Sequence, residues 1–172
     1  MALLEKFLYL KKSTIPGAGK GLFTKVDIKK GTRVVEYKGQ IVTWKQVEQM
    51  SDDRNGYVFY FNRSYCLDAW PRINSFARYA NDAKGITRVD GIKNNLEFVE
   101  VNKPTKRCFL DATRDIPKGS ELFVGYGGEY WRVIRYNIRL AQKNKEKEGK
   151  KNSKIELPHH TENKARRKKA KR

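Results

Sequence analysis

Cysteine is nearly missing from this chain. Only Cys66 and Cys108 occur in 172 residues. Two thiols cannot complete a four-ligand zinc site alone, and no metal site is expected. One pair in a chain this long is not a disulfide scaffold either, which leaves two buried thiols in a reducing compartment. Long apolar runs are also missing. None approaches the ~20 residues of a membrane helix, and the opening MALLEKFLYLKK sets Glu5 and Lys6 inside its apolar stretch, unlike a secretory signal. The expectation is an intracellular protein without a membrane role, cytoplasmic or nucleoid-associated in a bacterium and nuclear in a eukaryote. Histidine is confined to His159 and His160, in a stretch too polar to build a core, so neither reads as functional. Acidic residues are scarce: 19 against 38 Lys+Arg, a net charge of +19.

Such an excess of cations points to an anionic partner. The charge is concentrated at the end. Residues 141–172 carry 13 Lys+Arg and 4 Asp+Glu, whereas residues 1–140 carry 25 and 15 over a length more than four times greater. From about Lys143 the apolar periodicity stops, and NKEKEGKKNSKIELPHHTENKARRKKAKR is too polar to form a core. The expected organisation is a domain over 1–142 and a basic, disordered tail over 143–172. A cation run such as ENKARRKKAKR binds phosphates without sequence preference, or else simply solvates the chain.

The body reads as short strands: LFT, TRVVEYKGQIV, YVFYF, YCLDA, LEFVEV, CFLDAT and ELFVGY, rich in β-branched and aromatic residues and separated by Gly, Asn, Asp or Pro. Helix signals are few. WKQVEQM has apolar Trp44, Val47 and Met50 on one side and Thr43 as a cap. NSFARYANDA suits a short helical turn. GEYWRVIRYNIRLAQKNKEKEGKK puts Tyr130, Ile134 and Ile138 on one side and Arg132, Arg135 and Arg139 elsewhere, which predicts an amphipathic helix. DIKKGT (Asp27 to Thr32) and DIPKGS (Asp115 to Ser120) echo each other ahead of β-rich runs, as two similar turns by chance or as turns whose Gly sets up a hairpin or strand entry.

Two stretches carry the functional question. PGAGKGLFT (Pro16 to Thr24) matches neither the P-loop nor the dinucleotide fingerprint, since a strand-like run follows it. It is a plain glycine loop, or one whose bare backbone lies against a ligand. SELFVGYGGEYW (Ser120 to Trp131) crowds aromatics around three glycines, as a core corner or as the wall of a pocket.

Taken in order, GAGKGLFTKVDIKKGTRVVEYKGQIV, NGYVFYFNRSYCLDA, ARYANDA and CFLDATRDIPKGSELFVGYG resemble the SET domain, the family of S-adenosyl-L-methionine-dependent protein lysine methyltransferases. The resemblance covers about residues 11–131. It implies a mostly β, SET-type fold of short twisted sheets with a pseudoknot-like closing segment, few short helices and a C-terminal amphipathic helix. It implies Tyr126 and Tyr57 as catalytic tyrosines. Lys20, Gly21, Leu22, Asn81, Asp82 and Trp131 would hold the cofactor, and Phe59, Phe123 and Val124 would line the substrate channel. Asn95 matches a later family asparagine loosely. The sequence departs from the family in having Asp82 where His is usual, in the ten-residue insertion AKGITRVDGI, and in lacking a cysteine-rich segment after Trp131. Val124 stands where many members carry a larger aromatic.

The implied reaction is methyl transfer to a lysine of a basic protein such as a histone, a histone-like protein or a ribosomal protein. A free lysine has a pKa of ~10.4, so the site must favour the neutral amine; an apolar channel and a nearby sulfonium both do so. The alternative is a non-catalytic SET-like module held on nucleic acid by its tail, which Asp82 favours and the presence of both tyrosines disfavours. A methyltransferase acting on a small molecule or a nucleic acid is a third reading and needs a wider pocket.

Overall fold

The computed structural model describes residues 3–51, 54, 56–85, 88–102 and 106–153. The chain divides into two units, Met1–Arg132 and Val133–Arg172. The first is built from nine short strands among the described residues: β1 (Leu8–Lys12), β2 (Lys20–Thr24), β3 (Arg33–Glu36), β4 (Gln40–Val42), β5 (Val58–Asn62), β6 (Tyr65–Asp68), β7 (Leu96–Val101), β8 (Arg107–Ala112) and β9 (Glu121–Leu122). They form three antiparallel three-stranded sheets, ordered β1-β2-β9, β3-β8-β7 and β4-β6-β5. Each expected strand run holds a strand, and TRVVEYKGQIV is divided into two. The main core holds Leu22, Val34, Val35, Leu110, Leu122 and Val124, all essentially inaccessible to water, and a smaller cluster of Val42, Val47 and Cys66 lies between the short helix Trp44–Val47 and the β4-β6-β5 sheet. Cys66 and Cys108 are free and buried, as expected.

The short helices follow their sequence signals. Helix α1 (Trp44–Val47) opens with a capping box: the Gln46 N–H donates to Thr43 Oγ1, and the Thr43 N–H donates to the Gln46 side chain at 2.8 Å. NSFARYANDA contains a 3-10 turn over Phe76–Tyr79. Helix α2 (Gly128–Ser153) starts in the first unit and continues in the second. It runs ten residues past Lys143, where a disordered tail is expected to begin. Lys145, Glu146, Lys147 and Glu148 are good helix formers and favour that continuation without an apolar face. Among the described residues no helix is long and apolar enough to cross a membrane. The terminal cation run and both histidines lie outside the described residues.

The DIKKGT and DIPKGS echo is a matched pair. Ile28 and Ile116 exchange both backbone hydrogen bonds at 2.8 Å. The Asp115 carboxylate accepts from the Lys30 N–H at 2.8 Å, and Asp27 accepts from the Lys118 N–H at 2.7 Å. Each aspartate thus satisfies the fourth residue of the opposite copy. Gly31 and Gly119 follow with φ of 78° and 83°, a left-handed turn that a β-carbon would strain. The pairing fixes where β9 and the chain after it begin.

Candidate active site

The chain after β9 runs between two earlier segments. On one side Phe123 bridges Asn81 in parallel, with the Val124 N–H donating to the Asn81 carbonyl at 2.9 Å. On the other side the N–H groups of Asn95 and Leu96 both donate to the Phe123 carbonyl, at 3.0 and 2.9 Å. Asn95 completes the grip: its amide donates to the Glu121 carbonyl at 2.9 Å and accepts from the Phe123 N–H at 2.8 Å. Buried among these strands, Asn95 works as a substitute backbone partner and does not face the cavity.

That arrangement delivers Tyr126, Tyr130 and Trp131 to one wall of a cavity of about 900 Å³. The glycine loop 16–20, Tyr57 to Tyr60 ahead of and along β5, and the turn from Ala77 to Asp82 complete it, with Tyr37 and Phe98 beyond. Volumes of ~300–1,000 Å³ suit a ligand the size of a cofactor. Tyr57 and Tyr126 come from positions 69 apart in sequence and line the same space. Tyr126 and Trp131 are stacked with centroids 6.0 Å apart and planes 8° from parallel, and Tyr130 meets both edge-on. The aromatics of SELFVGYGGEYW are therefore mostly a pocket wall, and Phe123 is its core member.

The phenol of Tyr126 donates to the Ala80 carbonyl at 3.0 Å, which leaves its oxygen lone pairs as acceptors. Removal from water raises its pKa above the ordinary tyrosine value, and the nearby Tyr37 and Tyr130 phenols add to this, so it stays a neutral hydroxyl. Tyr37 donates to the Tyr57 carbonyl at 2.9 Å and is also raised by burial. The Arg78 guanidinium lies 4.5 Å from the Tyr57 ring centroid and 5.3 Å from that of Tyr79. Its Nε is buried and has no hydrogen-bond partner among the described residues. A cation with an unmet donor in an aromatic cavity suits a polar ligand.

Of the expected site residues, Tyr57, Tyr126, Lys20, Asn81, Asp82, Trp131 and Phe59 line the cavity. Gly21 and Leu22 do not. Strand alternation turns Leu22 into the core with no exposure, and Gly21 lies against Glu121. Phe123 and Val124 also fall outside it, at 5% and 1% exposure, because the segments on either side of them cover both. Asn81 reaches the cavity with its amide engaged, donating to the Lys20 carbonyl at 3.1 Å and toward Glu121 at 3.4 Å. Tyr130, one of the aromatics of SELFVGYGGEYW, joins the cavity wall, whereas Tyr37, Arg78 and Glu121 carry no signal of a site in the sequence. Tyr37 and Arg78 lie within quoted runs, EYKG and ARYANDA, where only their place in the fold distinguishes them.

The SET domain family model matches residues 19–127. The N-lysine methyltransferase KMT5A-A of Danio rerio is 34% identical over 122 residues, covering 66% of this chain and 33% of that protein. The Xenopus tropicalis N-lysine methyltransferase KMT5A is 29% identical over 130 residues, covering 69% and 36%. The histone-lysine N-methyltransferase set-1 of Caenorhabditis elegans is 29% identical over 148 residues, covering 80% and 57%. The chain thus spans about a third of the length of the first two relatives. A humanised mutant of the Chaetomium thermophilum Polycomb Repressive Complex 2, bound to the inhibitor GSK126, has a TM-score of 0.56 at 28% identity, covering 70% of this chain and 15% of that one.

Proposed function

This chain belongs to the SET domain family and has its mostly β fold, and on that premise we propose that it is a protein-lysine N-methyltransferase that uses S-adenosyl-L-methionine. The single observation that carries the reading is the meeting of Tyr57 and Tyr126 in one cavity with the glycine loop, Asn81 and Trp131.

The residues fit the cofactor. The glycine loop 17–20 presents backbone to the cavity, Arg78 offers a buried unmet donor, and Trp131 supplies a flat apolar face beside Tyr126. When bound, S-adenosyl-L-methionine supplies an electrophilic methyl group on a positively charged sulfur. The chain supplies the rest. Phe59, Phe98 and Tyr37 exclude water from the approach, which disfavours an ammonium and lowers the pKa of an entering lysine amine. The neutral hydroxyl of Tyr126, fixed by its bond to the Ala80 carbonyl, holds an acceptor oxygen in place to orient the amine and to meet weak C–H donors. No strong general base is assigned, so the amine proton passes to solvent. Val124 is core rather than channel, which leaves Tyr37 and Phe59 as the large side chains that limit space at the amine.

The substrate is a basic protein of the histone, histone-like or ribosomal class, approached through nucleic acid. Residues 143–172 hold the enzyme on phosphate backbones by counterion release, a role supported by their density of Lys and Arg. Calorimetry with S-adenosyl-L-methionine is the direct test: a saturable heat supports the proposal, and none leaves a binding module. Labelled cofactor in a cell extract, with the labelled protein identified by mass spectrometry, then names the substrate.

A further inference from the structure

Asp82 stands where the family usually has histidine, and its carboxylate is almost fully used by the protein itself. It is 4% exposed. Oδ2 accepts from the Tyr126 N–H at 2.8 Å and from the Trp131 indole Nε1–H at 2.7 Å. Oδ1 accepts from the Lys84 N–H at 2.8 Å and from the Asn94 amide at 2.9 Å. Asn94 in turn accepts from the Ala83 N–H at 2.8 Å. Burial alone would raise the pKa of this carboxyl, but the four donors outweigh it and the net shift is downward. Asp82 thus remains a carboxylate at neutral pH, with the Tyr126 and Tyr130 phenols as the titratable groups that sense its charge.

We propose that Asp82 is a positioning residue that sets Tyr126 and Trp131 in register through one carboxylate oxygen. The inference rests on reading the cavity as the cofactor and lysine site. Oδ2 ties the backbone that carries the acceptor hydroxyl to the indole that forms the flat wall, which accounts for two rings stacked within 8° of parallel although four residues lie between them in sequence. A charged acceptor does this where a neutral one cannot. An asparagine has one oxygen and one NH2 group, so whichever way it turns, its NH2 faces a pair of N–H donors. If Asn94 turned over to compensate, its own NH2 would meet the Ala83 N–H.

The test is Asp82→Asn, Asp82→Ala and Trp131→Phe, singly and as the Asp82→Asn/Trp131→Phe pair. S-adenosyl-L-methionine affinity is read by calorimetry, turnover by methyl transfer and folding by far-UV circular dichroism. Both Asp82 variants should lose roughly tenfold or more in cofactor affinity, the worth of one hydrogen bond to a charged group. Trp131→Phe should raise KM with little change in kcat, whereas Asp82→Asn should raise KM and lower kcat, because it releases Tyr126 as well. The pair should bind cofactor within about twofold of the weaker single variant, since both changes break the same contact. Multiplicative losses, or a folded Asp82→Ala that binds and turns over as the unsubstituted protein does, overturn the proposal. The near-UV spectral difference that Trp131→Phe produces in the ligand-free protein should shrink in the Asp82→Asn background. If the unsubstituted protein binds no cofactor, the functional reading fails, while this spectral coupling still decides the role of Asp82. Should Asp82→Ala not fold, Asp82→Asn carries the test.

Discussion

Replacing Gly21 by alanine tests whether this glycine of β2, just past the loop, serves a ligand or the fold. The backbone of Gly21 is an ordinary strand paired with Lys11, so alanine meets no conformational penalty there. The obstacle is space. A β-carbon at Gly21 would lie 2.1 Å from Glu121 Oε1, 2.7 Å from its Cδ and 3.2 Å from Ser13 Cα. A carboxylate on a mobile side chain would swing away, but this one is 5% exposed and held. It accepts from Ser13 Oγ at 2.7 Å, from the Thr14 N–H at 2.7 Å and from Thr14 Oγ1 at 2.6 Å, with Asn81 Nδ2 at 3.4 Å. Moving it by an ångström or more gives up at least one of these bonds. Overpacking costs about 1–3 kcal/mol, and a lost hydrogen bond to a charged group costs about 1.5–3 kcal/mol. The sum of about 2.5–6 kcal/mol is a large part of the 5–15 kcal/mol typical of a domain. Urea unfolding of Gly21→Ala measures it, and the loss should shrink in a Glu121→Ala background, where the clash is gone. A Gly21→Ala protein within about 0.5 kcal/mol of the parent would refute the packing argument, since unstrained surface changes are that small.

Three other outcomes are expected. Tyr126→Phe keeps the ring and removes the hydroxyl bonded to the Ala80 carbonyl, so the fold should persist while methyl transfer falls on the order of a hundredfold, the usual worth of one preorganised polar group; unchanged turnover removes Tyr126 from the chemistry. Alkaline pH should destabilise the protein: burial raises Tyr37 and Tyr126 above 10.0 and Cys108 above 9.0, so these groups keep their protons in the fold while the unfolded chain loses them. Stability from Cys108 is lost above pH ~9 and that from the two tyrosines above pH ~10, each at up to about 1.4 kcal/mol per pH unit, and a urea midpoint that is flat to pH 11 contradicts that burial. Deleting residues 143–172 should weaken binding to duplex DNA and flatten its salt dependence, and an unchanged salt slope would show that the tail is not the anchor.

Where sequence reading succeeded and where it failed follows from how far apart the deciding partners lie. The strands were legible because period and turn residues are local, and so was the Thr43 cap, whose partner Gln46 is three residues away. The repeated D-I-x-K-G pattern was visible but not interpretable alone, since each aspartate acts on the other copy, some 90 residues off. Gly21, Leu22, Phe123 and Val124 sit in the right stretches yet miss the cavity. Which face of a strand looks inward depends on segments packed from elsewhere, and here Asn81 and Leu96 cover both sides of the closing chain. Asp82 shows the same limit most clearly. On its own it reads as a weakened version of a family histidine. With its four donors in place it joins the backbone of Tyr126 to the indole of Trp131 in the cavity wall. A substitution at a conspicuous family position is therefore not by itself evidence of a dead pocket: the rival reading as a mere binding module loses its main support once the carboxylate is seen to hold Tyr126 and Trp131 together.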